Sequence, residues 1–282
     1  MSRVNVRRGA GLAELIVAMS LSAIFAVAAT TALVGAERYM RRARATSDAR
    51  RTLREAEAVL ASDLRNATVD SLRVRGDTAV DFLGLVGVSV VCVSSGPVVV
   101  LPPGAAADGL PYSSWRAPPE AGDIVAVFDT SGGGAWRTAA IESAAERADG
   151  AGCGPSTGLL TSADNAARRP ATRVVLRSSP DSAARIVGAP VRVLRGARYA
   201  LTRAGDGSWS LSYRRCSEST CGVAQPVAGP FAAPSDSGLL FTFVASASRV
   251  DAVIRAPGTA PHVPPVSTRL RLTLRNRDLG TP

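Results

Sequence analysis

Three hydrophobic patterns follow one another along this chain of 282 residues. The first is an apolar run from Ala10 to Ala36, roughly 27 residues, where about 20 in a helix suffice to cross a hydrocarbon core. A basic leader with Arg3, Arg7 and Arg8 precedes it and ends in Gly9, and one charge, Glu14, interrupts it. The second pattern runs from Glu37 to about Ala67, without Pro or Gly. Here Ala49, Leu53, Ala56, Leu60 and Leu64 recur at spacings of three and four. Arg50, Arg51, Arg54, Glu55, Glu57 and Arg65 fill the other side, which makes an amphipathic helix. Joined, the two patterns predict one helix of roughly 55 residues, about 80 Å long at 1.5 Å per residue.

After Gly76 the third pattern takes over: short β-prone runs separated by Gly, Pro, Ser and Asp, the signature of an antiparallel sheet. The expected strands are Ala79 to Leu85, Gly87 to Ser94, Val98 to Leu101, Asp123 to Asp129 and Ala135 to Ser143, with Gly132-Gly133-Gly134 turning between the last two. Ala144 to Pro170 reads as a loop that carries Cys153 and divides the head into an earlier part, 71–170, and a later part, 171–282. In the later part Thr172 to Arg177, Pro190 to Arg203 and Ser208 to Arg214 read as strands, with Gly205-Asp206-Gly207 as a hairpin turn. Trp209, Leu211 and Tyr213 alternate with Ser, so one face is buried. Leu239 to Val244 and Arg249 to Ile254 follow, and Arg269 to Arg275 alternates Arg or Thr with Leu. The expected fold is α+β: a long N-terminal helix, membrane-spanning over 10–36 and amphipathic over 37–70, packed on an antiparallel β-sheet head.

All 33 basic residues are Arg, a bias that a GC-rich genome explains without a site. The net charge of +10 falls to +7 without the leader, which permits attraction to nucleic acid or anionic lipid but does not demonstrate it. Four cysteines, Cys92, Cys153, Cys216 and Cys221, allow three pairings. Cys216 and Cys221 bracket four residues, a separation a local hairpin can bridge, and Cys92 with Cys153 would then close a much longer loop. Disulfides belong to oxidising compartments, which suits a head outside the cytoplasmic membrane. A zinc site competes weakly, because the chain has one His and no close Cys pair of the kind such sites favour.

A carboxylate inside an apolar span is costly unless neutral or paired, so Glu14 is a functional hypothesis by default. If the chain is cut after Gly9, the new amine of Ala10 lies one helical turn from Glu14. Residues Gly9 to Met19, Gly-Ala-Gly-Leu-Ala-Glu-Leu-Ile-Val-Ala-Met, resemble the type IV prepilin and pseudopilin signature, Gly-Phe-Thr-Leu-x-Glu-Leu-x-x-Ala-Met. Leu12, Glu14, Leu15, Ala18 and Met19 match it, with Ala10 in place of Phe and Gly11 in place of Thr. Arg198-Tyr199-Ala200-Leu201 followed by Trp209 to Arg214 looks like a hairpin of the J-type pseudopilins and W-type minor pilins. Pro226 to Phe243 and the last strand are similar to the rest of their C-terminal sheet. Residues 77–170 resemble nothing nameable and read as an elaborated head.

The resemblance implies a prepilin leader, 1–9, removed by a prepilin peptidase that N-methylates Ala10. It implies that the subunit waits in the cytoplasmic membrane with its head outside, then enters a type IV pilus or type II secretion pseudopilus as a minor subunit near the tip. Its partners would be other pilin or pseudopilin subunits and the inner-membrane assembly platform, and Glu14 would pair with a first-residue amine. Charge leaves the orientation open, since Arg38, Arg41, Arg42 and Arg44 crowd the far end of the apolar run.

Little in the chain speaks of catalysis. The lone His262 sits in a Pro-rich loop, no Ser occupies a Gly-x-Ser-x-Gly elbow, and a phosphate loop of Walker type needs a Lys that the chain lacks. No cofactor or metal is expected, and the chain reads as no enzyme. Arg269, Arg271 and Arg275 share one face of the last strand, with Arg192, Arg195, Arg198 and Arg203 as further candidates for anion binding. Two other readings therefore remain: a DNA-uptake pilus subunit with an Arg-rich contact face, or an unprocessed, signal-anchored periplasmic β-domain.

Overall fold

The computed structural model describes residues 11–103, 112–129, 134–147, 153, 170–179, 186–217, 220–258 and 264–274. The two helical patterns form one continuous helix, α1 (Leu12–Leu64), of 53 residues. Its halves differ in what they touch. Every residue from Leu12 to Arg44 is exposed, whereas Ala49, Leu53, Ala56, Leu60 and Leu64 turn one stripe into the head. The stripe is made of Ala and Leu alone.

The head is built from antiparallel pairs. Its larger sheet takes β1 (Arg73–Arg75), β2 (Ala79–Val90), β3 (Val93–Ser95), β4 (Val98–Leu101), β5 (Ser114–Trp115), β6 (Ile124–Asp129), β7 (Ala135–Arg147), β8 (Ala171–Leu176) and β9 (Pro190–Arg203). It also takes β10 (Trp209–Ser217), β11 (Thr220–Cys221) and β12 (Gln225–Phe231). The main path runs β1-β2-β9-β6-β7-β8-β4-β3, with β10 beside β9, β11 and β12 on β10, and β5 on β2. Only Val91 and Cys92 separate β2 from β3, so the path starts and ends on one stretch of chain and the sheet closes on itself. At the seam the Val91 amide donates to the Ala189 carbonyl at 3.0 Å and the Cys92 amide to Val100 at 2.8 Å. Val91, Val99, Leu101, Val125, Ile141 and Val193 fill the interior of this closed part.

A bulge interrupts β2. The β2–β9 register shifts between Leu85 and Gly87, and the buried parity changes from Val80 and Phe82 to Ser89 and Val91. Glycine is required there, because a Cβ at Gly87 would collide with the Trp115 indole. Strand β9 then serves two cores. Val191 and Val193 face the closed interior, while Ala197, Tyr199 and Leu201 on the same face lie against α1. A second sheet, β13 (Leu239–Val244), β14 (Arg249–Ala256) and β15 (Val266–Thr273), covers the rest of the helix stripe with Leu239, Phe241, Val250, Ala252, Ile254 and Leu272.

Three expectations change. The runs 79–85 and 87–94 are one bulged strand and a short continuation, not two separate strands. The strand expected over 135–143 continues to Arg147, so the stretch read as a loop from Ala144 begins in a strand. The larger sheet does not divide at 144–170 either: β8 lies between β7 and β4, and β9 between β2 and β6. Alternation along a strand tells which face is buried but not which strand pairs with it, so this interleaving was not readable. The turn at Gly132 and Gly133 lies outside the described residues. The Gly205-Asp206-Gly207 turn is present between β9 and β10, where Asp206 accepts from the Ser208 amide at 2.9 Å. Both cysteine pairs are disulfides, Cys92–Cys153 and Cys216–Cys221, and the second joins opposed residues of β10 and β11.

Candidate functional site

The apolar half of α1 is the part of the molecule that its own head leaves uncovered. Leu12 is 79% and Phe25 72% exposed, and an 18-residue window of this helix reaches a mean hydropathy of 2.2. The helix is therefore long and apolar enough to cross a membrane. Three of its hydroxyls bond back to the helix backbone. Ser20 donates to the Ile16 carbonyl at 2.8 Å, and Thr31 to Ala28 at 2.8 Å, while Thr30 bonds back to Ala26. Such back-bonding is how hydroxyls are accommodated where water is absent.

Glu14 is the one charged side chain in this half. Gly11 is the N-cap, in extended backbone (φ −72°, ψ 153°), and Glu14 is the third helical residue. Its Oε2 accepts from the Gly11 amide at 3.1 Å. A carboxylate in the first turn also lies near the positive end of the helix dipole. Glu14 shares its face with Ala18 and Ser22, and Leu15 and Met19 complete the lining of the open space beside it. Gly9 and Ala10, expected at the processing point, lie outside the described residues.

The arginines sort into two kinds. Arg195, expected as a candidate for anion binding, is a structural residue. Its Nε and an Nη donate to Asp123 at 2.8 Å each, and Asp123 is fully buried. The hydrogen bond to Asp123 pushes the Arg195 guanidinium above its ordinary range. Arg198 forms the same forked pair with Asp81, and Arg75 joins it. Arg192 stacks over Trp136 at 4.4 Å from the ring centre. Arg203 bonds the carbonyl of Gly207 within its hairpin. Arg269 and Arg271 are exposed on the outer face of β15, as the alternation with Leu270 and Leu272 predicts. Arg271 stands opposite Asp251 and no aromatic interleaves with the pair on β15. Arg275 and His262 lie outside the described residues.

Sequence reasoning missed the groups that tie the helix to the head. The Tyr199 hydroxyl donates to Asp63 at 2.7 Å, and Arg116 pairs with the same carboxylate at 3.4 Å. Burial and the Asp63 carboxylate push the Tyr199 phenol well above its usual range, so it stays protonated. Nearby, Arg215 bonds Glu120 and reaches Asp123 at 3.3 Å. These partners lie 136 and 92 residues apart, and no local spacing signals them. Among the described residues no group of His, Cys, Asp and Glu converges as a metal site. No protein-family model, curated protein or solved structure matches the chain.

Proposed function

We propose that this chain is a minor pilin-like subunit, processed after Gly9, held in the cytoplasmic membrane by Ala10 to Ala36, and incorporated into a type IV pilus or type II secretion pseudopilus. The observation that carries the reading is the division of α1. One continuous helix presents a bare apolar half, headed by Glu14, and a second half buried in a β-head. A simple anchor needs neither helical continuity into the head nor a carboxylate in its first turn. A subunit that leaves the membrane to pack helix against helix uses both.

In this reading the Gly11 amide holds Glu14 at the helix start. The carboxylate pairs there with its own or a neighbour's Ala10, which offsets its desolvation and fixes register between subunits. The bulky head, with its closed sheet, suits a tip or initiation position better than a repeating one.

The test is Glu14→Leu, scored by recovery in the pilus or pseudopilus fraction relative to the membrane pool, with head folding followed by disulfide formation. Exclusion from the filament with a normal head is the expected result. Normal incorporation would remove the proposed role of Glu14.

A further inference from the structure

The apolar run gives way abruptly to a basic collar. Arg38, Arg41, Arg42 and Arg44 follow Glu37 within eight residues, and all are exposed. Arg41 is paired with Glu37 at 3.4 Å, while Arg38 and Arg42 have no acidic partner among the described residues. At 100° per residue, Arg38 and Arg42 continue the stripe that buries Ala49, Leu53, Ala56 and Leu60 higher up. They occupy the helix face that the head covers further along, just where the head has ended. Above them the helix and the start of β15 enclose an open wedge of about 1020 Å³, whose lining includes Tyr39, Arg42, Thr46, Arg50, Arg54 and Ser267. Tyr39 is 74% exposed, an aromatic at the level where the apolar run meets charge.

Distance decides what such a collar can hold. Arg42 lies six residues beyond Ala36, about 9 Å along the axis, and a guanidinium on its flexible stem reaches back into the headgroup layer. Arg50 and Arg54 lie about 12 and 18 Å further out, beyond that layer.

We propose that Arg38 and Arg42, with Tyr39 beside them, bind the phosphate of an anionic phospholipid in the leaflet on the head's side, and so set the depth and rotation of the head over the bilayer. This rests on the reading that the apolar half of α1 spans a membrane. The open wedge gives the headgroup access beneath the head; Arg42 lines it, and Arg38 lies one turn closer to the apolar run on the same stripe. A soluble anion or an acidic segment of another protein would instead engage the whole wedge, Arg50 and Arg54 included.

The experiment uses the full chain, purified in detergent and titrated with phosphatidylglycerol or phosphatidylcholine, with bound lipid read by native mass spectrometry. Each arginine near a phosphate surface contributes about a fivefold preference, so two predict on the order of 25-fold for the anionic lipid. Arg38→Gln with Arg42→Gln removes that preference, and Arg50→Gln with Arg54→Gln leaves it. Glycerol 3-phosphate at equal concentration does not displace the lipid. The inference is overturned if the two lipids bind alike, if the first pair of substitutions changes nothing, if the second pair matters equally, or if glycerol 3-phosphate competes fully. The mass of the same protein from its host reports cleavage at Gly9 separately, so failure of the lipid site and failure of the pilin-like reading are distinguishable.

Discussion

The hydroxyl of Tyr199, in the middle of β9, donates a 2.7 Å hydrogen bond to Asp63 in the last turn of α1. Its ring stacks on Phe82 at 5.6 Å and meets Tyr213 edge-on at 5.5 Å. One side chain thus locks the outer end of the helix to the strand that also lines the closed part of the sheet. Tyr199→Phe keeps the ring and removes the bond. A hydrogen bond to a charged group contributes about 1.5–3 kcal/mol, and thermal unfolding of the variant should show a loss in that range.

The two halves of α1 should respond differently to truncation. Leu60 is fully buried, and Leu60→Ala should destabilise the head by about 2–5 kcal/mol through lost burial and the cavity left behind. Ile24, 65% exposed, touches nothing of the head, and Ile24→Ala should leave its unfolding unchanged. Urea titrations of the two variants in the same detergent make the comparison.

Asp123 has no exposure and is gripped by Arg195, whose own side chain is 15% exposed. Asp123→Ala removes the forked pair and leaves Arg195 only the Pro118 carbonyl at 3.0 Å and Glu120 at 3.5 Å. The loss should therefore approach, without exceeding, the cost of a broken buried pair, about 3–5 kcal/mol. A loss below 1 kcal/mol in denaturant unfolding would contradict the geometry.

Acid stability should depend on Asp81. Partial burial pushes its carboxyl up, but the hydrogen bonds from Arg198 and Arg75 outweigh this and hold it below its ordinary value of 3.8. A carboxyl lowered on folding stabilises the native state above its unfolded pKa, and the contribution disappears as pH falls through the folded one. Melting temperatures should therefore fall as pH drops below about 4, and less steeply in Asp81→Asn. Glu120, lowered by its bond from Arg215, adds to the same slope.

The helix and most strands were legible because burial repeats with a period. The stripe from Ala49 to Leu64 announces the helix and its inward face; the alternation through Trp209, Leu211 and Tyr213 announces β10, although there Ser212 is buried as fully as Leu211. The bulge at Leu85–Gly87 shows in the sequence only as a glycine, which reads as a strand break. What joins the elements was not legible. Arg195 looked like a free cation in an Arg-rich run, and only the fold brings Asp123 to it across 72 residues. Glu14 was conspicuous because a lone acid in an apolar run is costly, a signal that needs no partner in view.

The intact mass and N-terminal sequence of the chain extracted from its host's membranes test the central claim most directly. A mature protein beginning at Ala10, methylated or not, is the predicted result. A chain still beginning at Met1 or Ser2, or one beginning beyond Ala26, would contradict it.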